Sequence, residues 1–142
     1  EKSAPHRGER KGIMLKTGIR GSQSVEVGEK NSAKTMGSGT LNVFATPAMT
    51  ALMEKTAWTS VAPYLEEGQG TVGTHLDISH EAPTPLGKTV TCESELIEID
   101  GRRLVFDVTA EDGTHVIGRG RHERFIVSEE KFQAKADAKR ES

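Results

Sequence analysis

The sequence predicts an α+β fold in which one long helix lies on a curved antiparallel β-sheet of about five strands. A helix signal begins at Thr46 and Pro47, and four segments that read as strands follow it. Asp-Gly dipeptides at 100–101 and 112–113 separate the last three of these segments, and Asp-Gly is a strong signal for a tight hairpin. Hairpin-linked strands with a single helix set apart from them indicate an α+β architecture.

Length and composition favour a single domain that binds a small molecule. The chain has 142 residues, of which 34% are apolar, and this is enough for one core. The net charge of −2 and the pI of about 6.2 argue against a nucleic-acid partner. No stretch approaches the roughly 20 apolar residues of a membrane span. The single Cys92 fits a reducing compartment, so we expect a cytoplasmic protein without a membrane partner.

The two ends of the chain differ from its middle. Residues 1–13 (EKSAPHRGERKGI) are polar and lack periodicity, and we expect a disordered or expression-derived N-terminal arm. Residues 131–142 are rich in charge, and we expect a tail or a frayed helix there. The folded domain is therefore predicted to span residues 14–130.

The first strand and the helix come next in order. Residues 22–27 alternate as a half-buried strand does. Thr46 is predicted to cap the helix with its hydroxyl, Pro47 suits the first helical position, and Pro63 ends the helix near residue 62. Ala51 and Trp58 lie off the main apolar stripe, so the helix is expected to be enclosed by protein.

The later strands are predicted at 71–80, 89–99, 102–111 and 114–127. In the first of these, the period of two places Val72, Leu76, Ile78 and His80 on one face. His80 would then point inward from the end of its strand. Gly118 and Gly120 share one face of the last strand, and they are expected to allow the close approach of the helix or a ligand.

Three polar residues are open to both a structural and a catalytic interpretation. Thr46 can cap the helix or present its hydroxyl to a substrate beside the helix N-terminus. Glu54 can be a solvated helical residue, but in an enclosed helix its carboxylate needs a partner, and it could attack a carbonyl carbon or activate water. His80 can be a hydrogen-bonded core residue or an acid/base partner of Glu54.

Other kinds of site find little support. His75 and His80 are an odd number of residues apart in one strand, so they point to opposite faces and cannot chelate a metal together. The sequence contains no HExxH, GxSxG or GxGxxG motif in the required context. Cys92 lies among apolar residues in mid-strand and reads as an inert core thiol. We therefore predict no metal site and no cofactor.

Arg119 and Arg121 share the face of the last strand opposite the two glycines. They can form a solvated sheet surface. Alternatively, their guanidinium groups can bind the phosphates of a nucleotide-bearing substrate.

Several sequence blocks together closely resemble the fluoroacetyl-CoA thioesterase family, whose members are hotdog-fold acyl-CoA thioesterases. The blocks are VFATPAMTALMEKTA, APYLEEGQGTVGT, ISHEAPTPLGKTV, GRRLVFDVTAEDG and IGRGRHERFIV. They occur in this order and cover most of residues 14–135. The resemblance implies a hotdog fold, in which a long central helix is wrapped by the curved antiparallel sheet.

The resemblance also implies roles for individual residues. A Thr that opens the helix, a Glu eight residues later and a His at the end of the next strand form the family's catalytic set, and these are Thr46, Glu54 and His80 here. The Gly whose backbone lies near the thioester carbonyl is Gly73. The fluoroacetyl-specific member has a Phe lid over the acyl group at the position of Thr40, so we expect Thr40 to contact substrate and the acyl preference to differ.

The function implied is hydrolysis of a small or short acyl-CoA to the free acid and CoA, with coenzyme A present only as part of the substrate. The resemblance further implies a homodimer, or a higher oligomer of dimers, with sites between the subunits. The alternative is a non-catalytic acyl-CoA-binding or sensing module on the same fold. Hydration of an acyl-CoA is a third reading, but it would require an Asp/His pair in one motif, which the sequence lacks.

Overall fold

The computed structural model describes residues 14–141 and shows one curved, five-stranded antiparallel sheet with a long helix packed on it. The strands are β1 (Arg20–Glu26), β2 (Gln69–His80), β3 (Thr89–Asp100), β4 (Arg103–Glu111) and β5 (Val116–Ser128). The helices are α1 (Ala33–Met36), α2 (Thr46–Val61) and α3 (Glu129–Asp137). The predicted α+β class and the five strands are confirmed. The predicted N-terminal arm, residues 1–13, lies outside the described residues.

The strand order is β1-β3-β4-β5-β2, and all neighbours are antiparallel. The two predicted Asp-Gly hairpins join β3 to β4 and β4 to β5, and their glycines, Gly101 and Gly113, have φ angles of 63° and 92°. These left-handed conformations are the ones that favour glycine. β2 does not lie beside β3. It pairs with β5 at the far edge of the sheet, so residues 81–88 cross from that edge to the opposite side.

The core lies between α2 and the inner face of the sheet. Met49, Met53, Ala57 and Val61 repeat at helical spacing on α2, and each is fully buried. Gly118 on β5 allows this contact, because a Cβ there would lie 2.5 Å from the sulfur of Met49. The predicted close approach of the helix at Gly118 is thus confirmed.

Two expectations for the helix are wrong. Trp58 is 41% exposed and Ala51 is also exposed, so one side of α2 is uncovered in the single chain. Thr46 does not cap the helix with its side chain either. The helix begins after Ala45, whose backbone is extended, and the Thr46 hydroxyl bonds elsewhere.

A β-bulge divides β2 into two parts that differ in which residues face inward. The pairing with β5 shifts between Gly73 and His75, leaving Thr74 as the extra residue. After the bulge, Leu76 and His80 share the inner face as predicted. Before it, Gly73 pairs with the inward Arg124, whereas Val72 pairs with the half-exposed Phe125. Val72 therefore lies on the opposite face from His80, contrary to the simple period of two.

The segment predicted as a charged tail or a frayed helix is helical, since α3 is followed by a 3-10 turn at Ala138–Glu141. Within residues 14–141, no helix is long and apolar enough to cross a membrane.

Candidate active site

The end of β2 and the start of α2 meet through one short hydrogen bond. Thr46 Oγ1 lies 2.7 Å from Nδ1 of His80, although the two residues are 34 positions apart in the sequence. Thr46 is in the first turn of α2, where backbone N–H groups favour negative charge. The fold therefore brings together two of the three predicted catalytic residues.

His80 is held as a neutral imidazole with one unpaired nitrogen. Burial lowers the pKa of His80 below its ordinary value, because a buried imidazolium loses solvation. Its Nε2 atom is buried, and among residues 14–141 this atom has no hydrogen-bond partner. A buried polar atom without a partner is costly, so this nitrogen suits a bond to a group that the single chain does not supply.

A cavity of about 260 Å³, which we call the catalytic cavity, adjoins this pair. The residues that line it are Ala33, Ser38, Val43, Phe44, Thr46, His80, Glu81, Ala82 and Pro83. Apolar residues form part of its wall, and the polar residues in it are Ser38, Thr46, His80 and Glu81. A small acyl group beside a reactive carbonyl carbon would fit such a space.

The loop that follows His80 is anchored by Thr84 and Asp112. Thr84 accepts the backbone N–H of Phe44 through its carbonyl (2.9 Å), and its hydroxyl donates to Asp112 (3.1 Å). Burial opposes the ionisation of Asp112, but hydrogen bonds from His115, Thr114 and Thr84 outweigh it and hold the pKa of this carboxyl well below its usual range. The cavity wall is thus tied to the β4–β5 turn.

Glu54 belongs to a separate cluster two turns further along α2. Its Oε2 lies 3.5 Å from Nη1 of Arg124 and 4.0 Å from Nε2 of His122. The Glu54 side chain is 38% exposed, whereas Arg124 and His122 are buried. The carboxylate therefore rests on a buried guanidinium and reaches toward the protein surface.

Arg124 is held in place from several sides. Its Nε donates to the hydroxyl of Thr71 (2.8 Å), and its Nη2 donates to the carbonyl of Thr71 (2.9 Å). Its Nη1 donates to Nε2 of His122 (3.0 Å). Since most of its donors are bonded, Arg124 presents a fixed positive charge to Glu54.

His122 is neutral, and its tautomer follows from its two contacts. Burial lowers its pKa, and the charge of Arg124 acts in the same direction. Nε2 accepts from Arg124, so the proton is on Nδ1, which donates to the carbonyl of His75 at 2.9 Å. The 4.0 Å approach of His122 to Glu54 is accordingly not an ion pair.

Gly73 makes room for the Glu54 carboxylate. A Cβ at residue 73 would lie 2.5 Å from Glu54 Oε2, 3.2 Å from His122 and 3.3 Å from Arg124. Any side chain at this position would displace the carboxylate. The predicted site residue Gly73 therefore lies directly beside Glu54.

The two groups of residues do not meet within one chain. Thr46 and Glu54 are eight residues apart on α2, and a rise of 1.5 Å per residue separates them by about 12 Å along the helix axis. No hydrogen bond or ion pair joins His80 to Glu54 among the contacts within residues 14–141. The expected direct partnership of these two residues is thus not formed inside a single chain.

The other predicted substrate-binding residues lie further away. Thr40 is exposed on a bend and does not line the catalytic cavity. Arg119 and Arg121 are exposed on the outer face of the sheet, where Arg119 pairs with Glu81 (3.2 Å) and Arg121 with Asp107 (2.6 Å). Their contact with substrate stays a prediction.

Sequence reasoning missed His122 and Arg124. Both lie on β5 at even-numbered positions, on the same face as Gly118 and Gly120. That face was expected to approach the helix, and extending the alternation by four residues would have placed both side chains against it. Among residues 14–141, no group of three or more His, Cys, Asp or Glu side chains could hold a metal ion.

Comparison with known proteins places this arrangement in a family context. A family model described as fluoroacetyl-CoA-specific thioesterase matches residues 27–130. A fluoroacetyl-CoA thioesterase of Streptantibioticus cattleyicolor is 48% identical over 97 residues, which is 68% of this chain and 70% of that protein.

Solved structures of similar proteins share the fold of this chain. The fluoroacetyl-CoA thioesterase FlK superposes with a TM-score of 0.83 at 38% identity, covering 88% of this chain and 97% of that one. Variants of FlK have been solved with acetyl-CoA, and with fluoroacetate and CoA. A hot-dog-like protein from Thermanaerovibrio acidaminovorans has a TM-score of 0.80 at 22% identity, covering 88% and 93% of the two chains. The predicted hotdog fold is confirmed.

Proposed function

This chain belongs to the fluoroacetyl-CoA-specific thioesterase family and is an acyl-CoA thioester hydrolase, and from that premise we propose that it cleaves small acyl-CoA substrates at composite sites in a homodimer. Each site would combine Thr46 and His80 of one subunit with Glu54 of the other. The non-catalytic binding module considered from the sequence is not retained, because the matched family is one of hydrolases.

The observation that carries this proposal is the Thr46–His80 hydrogen bond. It uses Nδ1 of His80 and leaves the buried Nε2 without a partner in the described chain, beside a cavity. A thioester group in the catalytic cavity would supply the missing partner. Neutral imidazole at this position is suited to transfer a proton.

The free edge of β2 supports the assembly of two subunits. β2 has 12 residues and ends the sheet, and within residues 14–141 no strand covers its outer edge. A long uncovered edge favours pairing with another strand, and antiparallel pairing of β2 with a second copy would make one continuous sheet. A two-fold axis through the exposed run 73–77 would bring His80 of the partner subunit toward Gly73 and Glu54.

The reaction follows from these placements. Glu54 either attacks the thioester carbon directly or removes a proton from an attacking water. The C–S bond then breaks, and neutral His80 takes up the proton that water loses and passes it to the departing CoA thiolate. On the direct route this water hydrolyses the acyl–Glu54 anhydride, which releases the acid and restores the Glu54 carboxylate. Thr46 orients His80, and the first turn of α2 stabilises negative charge on the carbonyl oxygen. Arg124 fixes the position of Glu54 through their 3.5 Å contact.

The size of the catalytic cavity, about 260 Å³, supports a small acyl group. An exposed Thr40 in place of a Phe lid leaves the cavity without an aromatic cover at that position. We therefore expect acetyl-CoA and other short acyl-CoA thioesters to be hydrolysed, without strong preference for fluoroacetyl-CoA. Release of CoA from a panel of acyl-CoA substrates tests this directly.

Subunit mixing tests the composite site. Glu54→Ala and His80→Ala homodimers should each be nearly inactive. In a mixed dimer of the two, one site carries both substitutions and the other carries neither, so half of the sites should work. Activity should therefore reappear when the two inactive variants are unfolded and refolded together.

Thr46→Ala mixed with His80→Ala is the matched control, since both residues come from the same subunit and no site is restored. Failure of the Glu54 and His80 variants to complement, with mixed dimers demonstrated, would contradict the shared site. A single turnover in oxygen-18 water separates the two routes, because only direct attack places the label in the Glu54 carboxylate.

A further inference from the structure

The catalytic cavity has a larger apolar neighbour, and the two share one lining residue. The second cavity has a volume of about 350 Å³ and lies between β1, the residues around α1, and α2; we call it the helix-side cavity. Phe44 lines both cavities. Phe44 therefore lies between the space beside His80 and the space beside α2.

Phe44 is held in place by its burial and by its backbone contacts. It is 1% exposed and is one of the largest fully buried side chains in the described chain. Its backbone N–H donates to the carbonyl of Thr84 at 2.9 Å, and its backbone also forms a β-bridge with Ser32. With its backbone held on both sides and its ring packed in the core, Phe44 keeps the two cavities apart.

The helix-side cavity suits an alkyl chain. Val25, Met36 and Leu52 contribute apolar surface, and Ala48 has a small side chain that leaves space next to the helix. Lys30 and Lys55 also line it and are exposed, so they mark its solvent end. The cavity thus runs from a buried aromatic ring to a water-facing rim, as an alkyl-binding space requires.

We propose that Phe44 sets the acyl-chain length of this enzyme by closing the catalytic cavity off from the helix-side cavity. The proposal rests on the proposed thioesterase function, with the acyl group in the catalytic cavity. A short acyl group ends against the Phe44 ring. A medium-length chain would need the space behind the ring, which the native side chain denies it.

The test compares acyl-CoA substrates of two to ten carbons. Wild-type enzyme should hydrolyse the shortest and lose activity as the chain lengthens. Phe44→Ala should join the two cavities and raise the ratio of kcat/KM for octanoyl-CoA to that for acetyl-CoA by at least about tenfold, since even one methylene is worth about 10-fold or more in a fitted pocket. Phe44→Leu should shift the ratio in the same direction by less.

Two further variants use the helix-side cavity itself. Leu52→Ala enlarges this cavity but leaves the wall in place, so its chain-length profile should match that of wild type. Ala48→Phe added to Phe44→Ala should refill the space and restore the short-chain profile. Thermal unfolding of each variant identifies any that fail to fold, and Phe44→Leu then carries the comparison.

Three outcomes would overturn the proposal. One is an unchanged ratio in folded Phe44 variants, and another is a shift produced equally by Leu52→Ala. The third is a uniform rise in KM for all chain lengths, which would mean that the catalytic cavity holds the pantetheine arm. These differ from failure of the proposed function, in which wild-type enzyme would release CoA from none of the substrates.

Discussion

The two halves of the candidate site differ in how fully their polar atoms are paired. In the cluster of Glu54, His122 and Arg124, the imidazole uses both nitrogens and the guanidinium is bonded through all three of its nitrogens. In the Thr46–His80 pair, one short bond leaves the buried Nε2 of His80 without a partner among the described residues. The first half holds a charge in a set position, whereas the second leaves Nε2 of His80 available for the proton transfer that we propose. Substitutions in each half of the candidate site test the two proposed roles separately.

Glu54→Gln should have the largest effect. The amide keeps the shape of the side chain but cannot attack or accept a proton, so kcat should fall by about 10²–10⁴-fold. The matched control is Glu95→Gln, because Glu95 also pairs with an arginine, Arg20, at 3.0 Å and its side chain is 37% exposed compared with 38% for Glu54. CoA release measured at saturating substrate checks both variants. Equal losses in the two would remove Glu54 from the chemistry.

The pH dependence should report on the other half. Burial lowers the pKa of His80, so the neutral form persists through pH 7 and is lost only below the ordinary imidazole value of about 6.5. If catalysis needs neutral His80, kcat/KM should be level near neutrality and then fall about tenfold per pH unit in acid. The low-pH limb should vanish from the residual activity of His80→Gln. A decline that begins above neutrality would assign the limb to another group.

Stability should change with pH in the same direction. His80 and His122 both have lowered pKa values in the folded chain, so the unfolded chain binds protons more readily. The contribution of these two histidines to the free energy of unfolding should therefore be complete above about pH 6.5. It should decrease as the pH falls below that value. Chemical unfolding at each pH separates this loss from the loss of activity.

Thr46→Val should have the smallest effect on kcat of the substitutions proposed here, and it should hardly change stability. Loss of the hydroxyl removes one hydrogen bond to His80, which would lower kcat by about tenfold if the bond contributes about 1.4 kcal/mol. Because this hydroxyl does not cap α2, the free energy of unfolding should change by less than about 0.5 kcal/mol, compared with about 1 kcal/mol for a lost cap.

Thr50→Val is the control for this substitution. Within the described part of the chain, the Thr50 hydroxyl bonds only to a helix carbonyl, that of Thr46, at 3.0 Å. Its removal should leave kcat unchanged. A stability loss in Thr46→Val without a loss of activity would return Thr46 to a purely structural role.

Local signals in the sequence predicted much of the fold. The helix at Thr46–Val61 follows from its prolines and apolar spacing, and the β3–β4 and β4–β5 hairpins follow from their Asp-Gly turns. The place of β2 beside β5 depends on long-range pairing, which leaves no local mark in the sequence. The bulge at Thr74 was missed for the same reason, since it exists only relative to the partner strand.

The candidate site was predicted unevenly. Thr46, Glu54 and His80 could be named, because a family resemblance supplied what isolated residues could not. The buried Arg124 that contacts Glu54 could not be named from the sequence. An arginine is expected to be exposed, and its burial becomes clear only from its bonds to Thr71 and His122. The separation of Glu54 from His80 also needed the fold, because it depends on where β2 ends relative to α2.

The single extra residue in β2 decides which residues of this strand share a face in the candidate active site. Before Thr74 the residues that face inward have odd numbers, including Gly73; after it they have even numbers, including His80. Because of the bulge, the odd-numbered Gly73 and the even-numbered His80 lie on the same face of the sheet. A regular strand of the present length, without the bulge, would point Gly73 and His80 to opposite sides of the sheet, because they are seven residues apart.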